Sequence, residues 1–180
     1  PKIFKDIAEY PRGIVLVTRP DAHPTGWPTT DYGPAAAPAA PALQPEYRSF
    51  HIEIDVNKPV AEVWEKIGGY CDISKWISNF DCRITSGEGG LGTVRVLAGG
   101  RITEILIASS EHGYGYTQPA VPGQYYNLYH GFMEARALTP TTSRIHYSVM
   151  MDVANLPDAA AKDAIMSSRK AAFETALKNM

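Results

Sequence analysis

The chain has 180 residues, 44% of them hydrophobic, and its 17 basic and 19 acidic side chains leave a net charge of -2. That is ordinary globular composition for one domain, or for one domain with an appendage. No excess of positive charge exists to neutralise phosphates, and no apolar run approaches the ~18 residues that cross a bilayer, so neither nucleic acid nor membrane is an expected partner.

Residues 1–46 read as an N-terminal extension. Lys2–Tyr10 is a short helix candidate and Gly13–Val17 an apolar pentad, after which residues 20–46 hold seven of the fourteen prolines. Proline fixes φ and removes a donor, so this stretch should run extended, as polyproline II. His23, Trp27 and Tyr32 decorate it, either as pegs on the surface or as a lid. The extension is too short to fold alone and must dock on the main domain or on a second copy, which makes a homodimer through this arm an expectation.

From residue 47 the periodicity becomes clear. Phe50, Ile52, Ile54 and Val56 alternate with polar residues, which predicts a half-buried strand. Asn57-Lys58-Pro59 then starts a helix, with Asn57 in the N-cap region. Val60, Val63, Trp64 and Ile67 form its apolar stripe, and Gly68-Gly69 ends it. A second short helix is expected over Cys71–Ser78. Strands are expected at 80–86, 92–98, 101–109, 113–118, 124–138 and 142–153, separated by glycine- or proline-bearing turns. Asp158–Met180 contains no Gly or Pro and predicts one long helix, with Ile165, Ser168, Ala172, Phe173, Ala176 and Leu177 towards the sheet.

The fold class is therefore α+β. A curved antiparallel sheet of about seven strands should wrap around the C-terminal helix, with a ligand cavity between the two. Cys71 and Cys82 lack metal spacing and are expected as two free thiols in a reducing cytoplasm. The five histidines show no HxH or HExxH spacing, so no metal site is expected. No nucleophile motif or dinucleotide fingerprint is present, so no cofactor is expected either.

The residues Ile52-x-Ile-x-Val56-Asn-Lys-Pro59-x-x-x-Val63-Trp64 resemble the opening strand and helix of the START/Bet v 1-like (SRPBCC) superfamily, in its polyketide cyclase/dehydrase-like branch. Trp76, Gly92-Thr-Val-Arg95, Gly99-Gly100-Arg-Ile-Thr-Glu104, Tyr129-His-Gly131 and Ser143-Arg-Ile145 extend the resemblance over 47–180. It implies a helix-grip domain around an apolar cavity, but no single activity, because such domains serve as cyclases, lipid carriers and receptors. In the resembling plant abscisic acid receptors, the glutamate matching Glu104 lines the cavity and the lysine matching Lys75 pairs with a ligand carboxylate.

Glu104 lies on an apolar strand face with Ile102 and Leu106, so it must be ion-paired or protonated. Arg95, on the same face as Leu97 in the preceding strand, is its obvious partner. Lys75 is either an inward ligand anchor or an exposed helix lysine. Tyrosines crowd residues 114–129, and Tyr116, Tyr126 and Tyr129 are expected to line the cavity with Leu97, Leu106, Tyr147 and Met151. Ser168 and Ala172 on the helix would leave space opposite them for a flat aromatic ligand. His130 and His146 have the opposite parity and should point outward, as should His51.

Two functions fit these residues. One is a cofactor-independent cyclase, dehydratase or lyase on an aromatic or polyketide-like molecule, with Glu104 as acid or base, Tyr129 and Tyr116 orienting or protonating, and Arg95 or Lys75 stabilising an oxyanion. The other is a carrier that holds such a molecule unchanged. The partner of Glu104 discriminates them: a closed pair with Arg95 favours the carrier, a free carboxylate oxygen beside Tyr129 the enzyme.

Overall fold

The computed structural model describes residues 44–78 and 80–179. The expectations for the helix, apolar pentad and proline-rich arm, for His23, Trp27 and Tyr32, and for a dimer contact through the arm lie outside the described residues.

Among the described residues, alternating hydrophobicity produces seven strands, and every neighbouring pair is antiparallel. They are β1 (Tyr47–Val56), β2 (Cys82–Ser86), β3 (Val94–Leu97), β4 (Ile102–Ser110), β5 (Gly113–Gln118), β6 (Leu128–Thr139) and β7 (Thr142–Asp152). The sheet order is β1-β7-β6-β5-β4-β3-β2, so β1 reaches past the meander to pair with the last strand. One side-chain parity is buried throughout: Phe50 and Ile52, Leu97, Leu106, Tyr114 and Tyr116, Tyr129 and Met133, and Ile145, Tyr147, Val149 and Met151. That face is the core.

Helix α1 (Val60–Ile67) buries Val63 and Ile67, each worth about 1.5–3 kcal/mol. Pro59 rather than Asn57 is its N-cap, and no side chain caps it. The second helix expected over Cys71–Ser78 shortens to a single 3₁₀ turn, Asp72–Lys75, with Ile73 buried in it and Trp76 buried just after it. The strand expected from residue 124 begins only at Leu128, so Tyr125 and Tyr126 belong to the preceding loop.

Helix α2 (Ala159–Lys178) is capped by Asp158, whose carboxylate accepts from the Ala161 N–H at 2.8 Å. It lies against β1. Arg48 pairs with Asp163 at 2.5 Å, Lys162 with Glu46 at 2.5 Å, and Phe173 stacks near Tyr147 and Phe50. Its inward face carries Met166 and Leu177 fully buried, with Ile165, Arg169 and Phe173 half-buried. Ser168 and Ala172 are exposed instead, which corrects the expected face by about one position. A stride of four from Ile165 reaches 169, 173 and 177, and burial follows that stride.

The cysteines also require correction. Cys71 and Cys82 form a disulfide, with Cα atoms 5.5 Å apart. The chain reverses through the 3₁₀ turn between them, which brings Cys71 back beside the first residue of β2 and satisfies the reach of a bridge. Spacing alone carries no trace of that reversal.

Candidate active site

The interior contains the expected pair. Arg95 and Glu104 stand directly opposite in the β3–β4 register and are 1% and 3% exposed. Arg95 Nε and Nη2 both donate to Glu104 Oε2, at 2.7 and 2.5 Å. The other carboxylate oxygen, Oε1, accepts from Gln118 Nε2 at 2.8 Å. Gln118 in turn accepts from the Tyr126 hydroxyl, and Arg95 Nη1 donates to the Tyr70 carbonyl. Both Glu104 oxygens are thus engaged within the protein.

An aromatic cage forms too, but its occupant is the protein's own guanidinium. Arg95 Cζ lies 4.2 Å from the Tyr70 ring centroid, 5.2 Å from that of Tyr116 and 5.7 Å from that of Tyr114. Cation–π attraction is strongest where water is excluded, so three rings help to hold a charge that burial penalises. Burial pushes the Glu104 pKa up, against the pull of Arg95 and Gln118. Burial works against the charge on Arg95 as well, yet Glu104 and the surrounding phenols keep its pKa above the ordinary value. The pair is closed.

A line of rings continues from this cage towards α2. Tyr116 stacks near Tyr129 at 6.2 Å, Tyr129 near Tyr126 at 5.4 Å, and Tyr126 against Tyr125 at 4.9 Å. The Tyr116 and Tyr147 hydroxyls share a hydrogen bond at 2.6 Å. Gly131 makes room for this arrangement: a Cβ there would lie inside the Tyr116 ring. Burial raises the pKa of Tyr116, Tyr129 and Tyr147. Near neutral pH these phenols are therefore neutral donors, not bases.

At the far end of the line stands Arg169, which sequence reasoning missed. Its Cζ lies 5.6 Å from the Tyr125 ring centroid. Burial disfavours its charge, and the phenols of Tyr125 and Tyr129 offset that and raise its pKa; no carboxylate is among the groups that do so. Among the described residues Arg169 has no salt-bridge partner. The stride of four from Ile165 was the available signal. Gln118 was legible in the same way, two positions beyond Tyr116 on one strand face, whereas nothing in the sequence marked Tyr70.

The remaining expected residues separate into two groups. Leu97, Leu106, Tyr147 and Met151 are buried on the core face with Tyr116, Tyr126 and Tyr129. Lys75 turns outward and pairs with Asp72 at 2.9 Å, so the structure does not bring it to Glu104. Lys75 and Ala172 instead border an open cleft of about 300 Å³ between the 3₁₀ turn and the C-terminal half of α2, together with Trp76 and Ala176. Trp76 Nε1 is buried with no hydrogen-bond partner among the described residues, an arrangement that costs free energy unless something accepts its proton. Ser168 is exposed on α2 and does not belong to the buried core face.

The family model described as polyketide cyclase / dehydrase and lipid transport matches residues 47–180. No curated protein matches the chain. Among solved structures, a protein from Nitrosospira multiformis is 24% identical, with a TM-score of 0.57 over 72% of this chain and 93% of its own. Ara h 8.0201 is 23% identical, with a TM-score of 0.53 over 74% of this chain and 99% of its own. The Zhui aromatase/cyclase of a Streptomyces species is 17% identical, with a TM-score of 0.58 over 73% of this chain and 91% of its own. At these identities the structural likeness speaks for the fold. No helix among the described residues is long and apolar enough to cross a membrane.

Proposed function

Because the chain belongs to the polyketide cyclase / dehydrase and lipid transport family, we propose that it binds and carries an apolar, aromatic small molecule bearing an acidic or carbonyl oxygen, without transforming it. The observation that carries this reading is the closed Arg95–Glu104–Gln118 network. Protein donors take three of the carboxylate's about four lone-pair sites, two on Oε2 and one on Oε1, which leaves it poorly placed to take a substrate proton, and the tyrosines beside it are held neutral by burial. Trp76 gives the cleft beside the 3₁₀ turn an apolar ring with one donor unpartnered among the described residues, while the phenolic line lies buried in the core. Arg169 supplies the cation that an inward Lys75 would have supplied, and a planar guanidinium suits a carboxylate or phenolate. The Cys71–Cys82 bridge supports work in an oxidising compartment in place of the expected cytoplasm.

A second reading, a cofactor-independent cyclase, dehydratase or lyase, draws support from the cyclase and dehydrase members in the family's description. One experiment separates the two. Flat aromatic carboxylic acids and their methyl esters are titrated against the wild type and Arg169→Met, and each bound molecule is recovered and weighed by mass spectrometry. The carrier reading expects acids to bind at least about tenfold tighter than esters, a difference near 1.4 kcal/mol. It expects that preference to vanish in Arg169→Met and every ligand to return unchanged. Equal binding of acid and ester by the wild type removes Arg169 as the anchor, and a ligand of altered mass establishes the enzyme.

A further inference from the structure

On the outer face of the sheet, away from the core, His51, Glu53 and His146 converge. We propose that these three residues bind one divalent transition-metal ion of the zinc type at the β1–β7 seam.

The placement follows from strand geometry. His51 and Glu53 are two residues apart on β1 and so share a face, while His146 stands directly opposite Glu53 in the β1–β7 register. Three donor atoms meet there: His51 Nε2 lies 3.3 Å from Glu53 Oε1, His146 Nδ1 lies 3.4 Å from the same oxygen, and the two ring nitrogens are 3.4 Å apart. They form a nearly equilateral triangle. Two ligands on a tetrahedral ion at about 2.05 Å are about 3.3 Å apart, so this triangle has the size of one face of a zinc coordination sphere. Octahedral magnesium or calcium would demand more oxygens than this face offers.

The surroundings fit a ligand set. His51 Nδ1 lies 2.8 Å from Ser148 Oγ, and a proton on Nδ1 donated to that hydroxyl leaves the Nε2 lone pair facing the triangle, as the outer partners of metal-bound histidines do. Arg144 pairs with the other Glu53 oxygen, Oε2, at 3.0 Å, which orients the carboxylate while leaving Oε1 to the triangle. Positive charge nearby is matched: Arg144 also pairs with Asp55 at 2.5 Å, and Arg136 with Glu134 at 2.7 Å. The three donors sit on paired strands, which hold them without a loop having to order. The fourth tetrahedral position faces solvent and would carry water.

The site escaped the spacing search because its two imidazoles are 95 residues apart in the chain and meet only across the β1–β7 pair. Its test is independent of the interior site. Zinc is titrated into the full chain against a chromophoric chelator, and cobalt(II) is added in parallel for its absorption spectrum. One equivalent of zinc is expected to bind, and cobalt should give the intense visible bands of tetrahedral coordination. His51→Ala and His146→Ala should each weaken binding at least tenfold, and Ser148→Ala about tenfold. Far-UV circular dichroism checks that each variant is folded, and His112→Ala should bind like the wild type. Absence of binding by the wild type overturns the proposal, and so does zinc binding that persists in the folded His51→Ala/His146→Ala double variant.

Discussion

Glu104 and Arg95 are each sealed from water with the other as counter-charge, so neither tolerates loss of its partner. Glu104→Ala leaves a guanidinium buried among three tyrosines, and such a broken buried pair costs about 3–5 kcal/mol. Urea unfolding should show that loss. The double variant Arg95→Met/Glu104→Leu should recover most of it, because two apolar groups of similar volume remove the unpaired charge. A Glu104→Ala protein as stable as the wild type would mean that solvent reaches Arg95, and the carrier argument would lose its closed network. Strand parity and the Gly99-Gly100 turn made this pair legible in advance. The rings around Arg95 were legible only as a dense run of tyrosines, since which ring meets which charge depends on β5 lying beside β4.

The 3₁₀ turn that borders the cleft has little to hold it by itself: four residues and one buried side chain. The Cys71–Cys82 bridge supplies what its local structure lacks, by closing a short loop and so narrowing the unfolded ensemble. Replacing both cysteines by serine should cost about 2–4 kcal/mol, and adding reductant to the wild type should lower its melting temperature to that of the double variant. If reductant leaves the melt unchanged, the bridge contributes nothing to stability. Helix α2 teaches the complementary lesson. Its existence and ends were readable from the absence of Gly and Pro and from Asp158. Its inward face was readable in part: Ile165, Phe173, Ala176 and Leu177 face the sheet as expected. Ser168 and Ala172 do not; both are exposed, and Arg169 is half-buried on that face instead.

Closure of the whole domain runs through Asp152, the last residue of β7. Its carboxylate accepts from the Glu46 N–H at 2.9 Å, the Ala154 N–H at 3.1 Å and the Asn127 amide at 3.2 Å, joining the start of β1, the approach to β6 and the link to α2. Burial would raise its pKa, but these three donors hold it below the ordinary value. The unfolded state therefore binds its proton first. The stabilisation is complete above the unfolded pKa of about 3.9 and is lost as pH falls through the lower folded value. Asp152→Asn should flatten the acid limb of the stability curve below about pH 4, as read by urea unfolding at stepped pH. An acid limb identical to the wild type would show that Asp152 is not titrating in this way. Alternation, turn residues and one long uninterrupted helix determined, from the sequence alone, the strand count, the helix-grip class and the Arg95–Glu104 pair, because those are local patterns or one-turn neighbours. The tertiary structure decided the disulfide, the inward Arg169, the outward Lys75 and the His51–Glu53–His146 triangle. Each joins or excludes groups according to how distant segments pack, and distance along the chain carries no record of that.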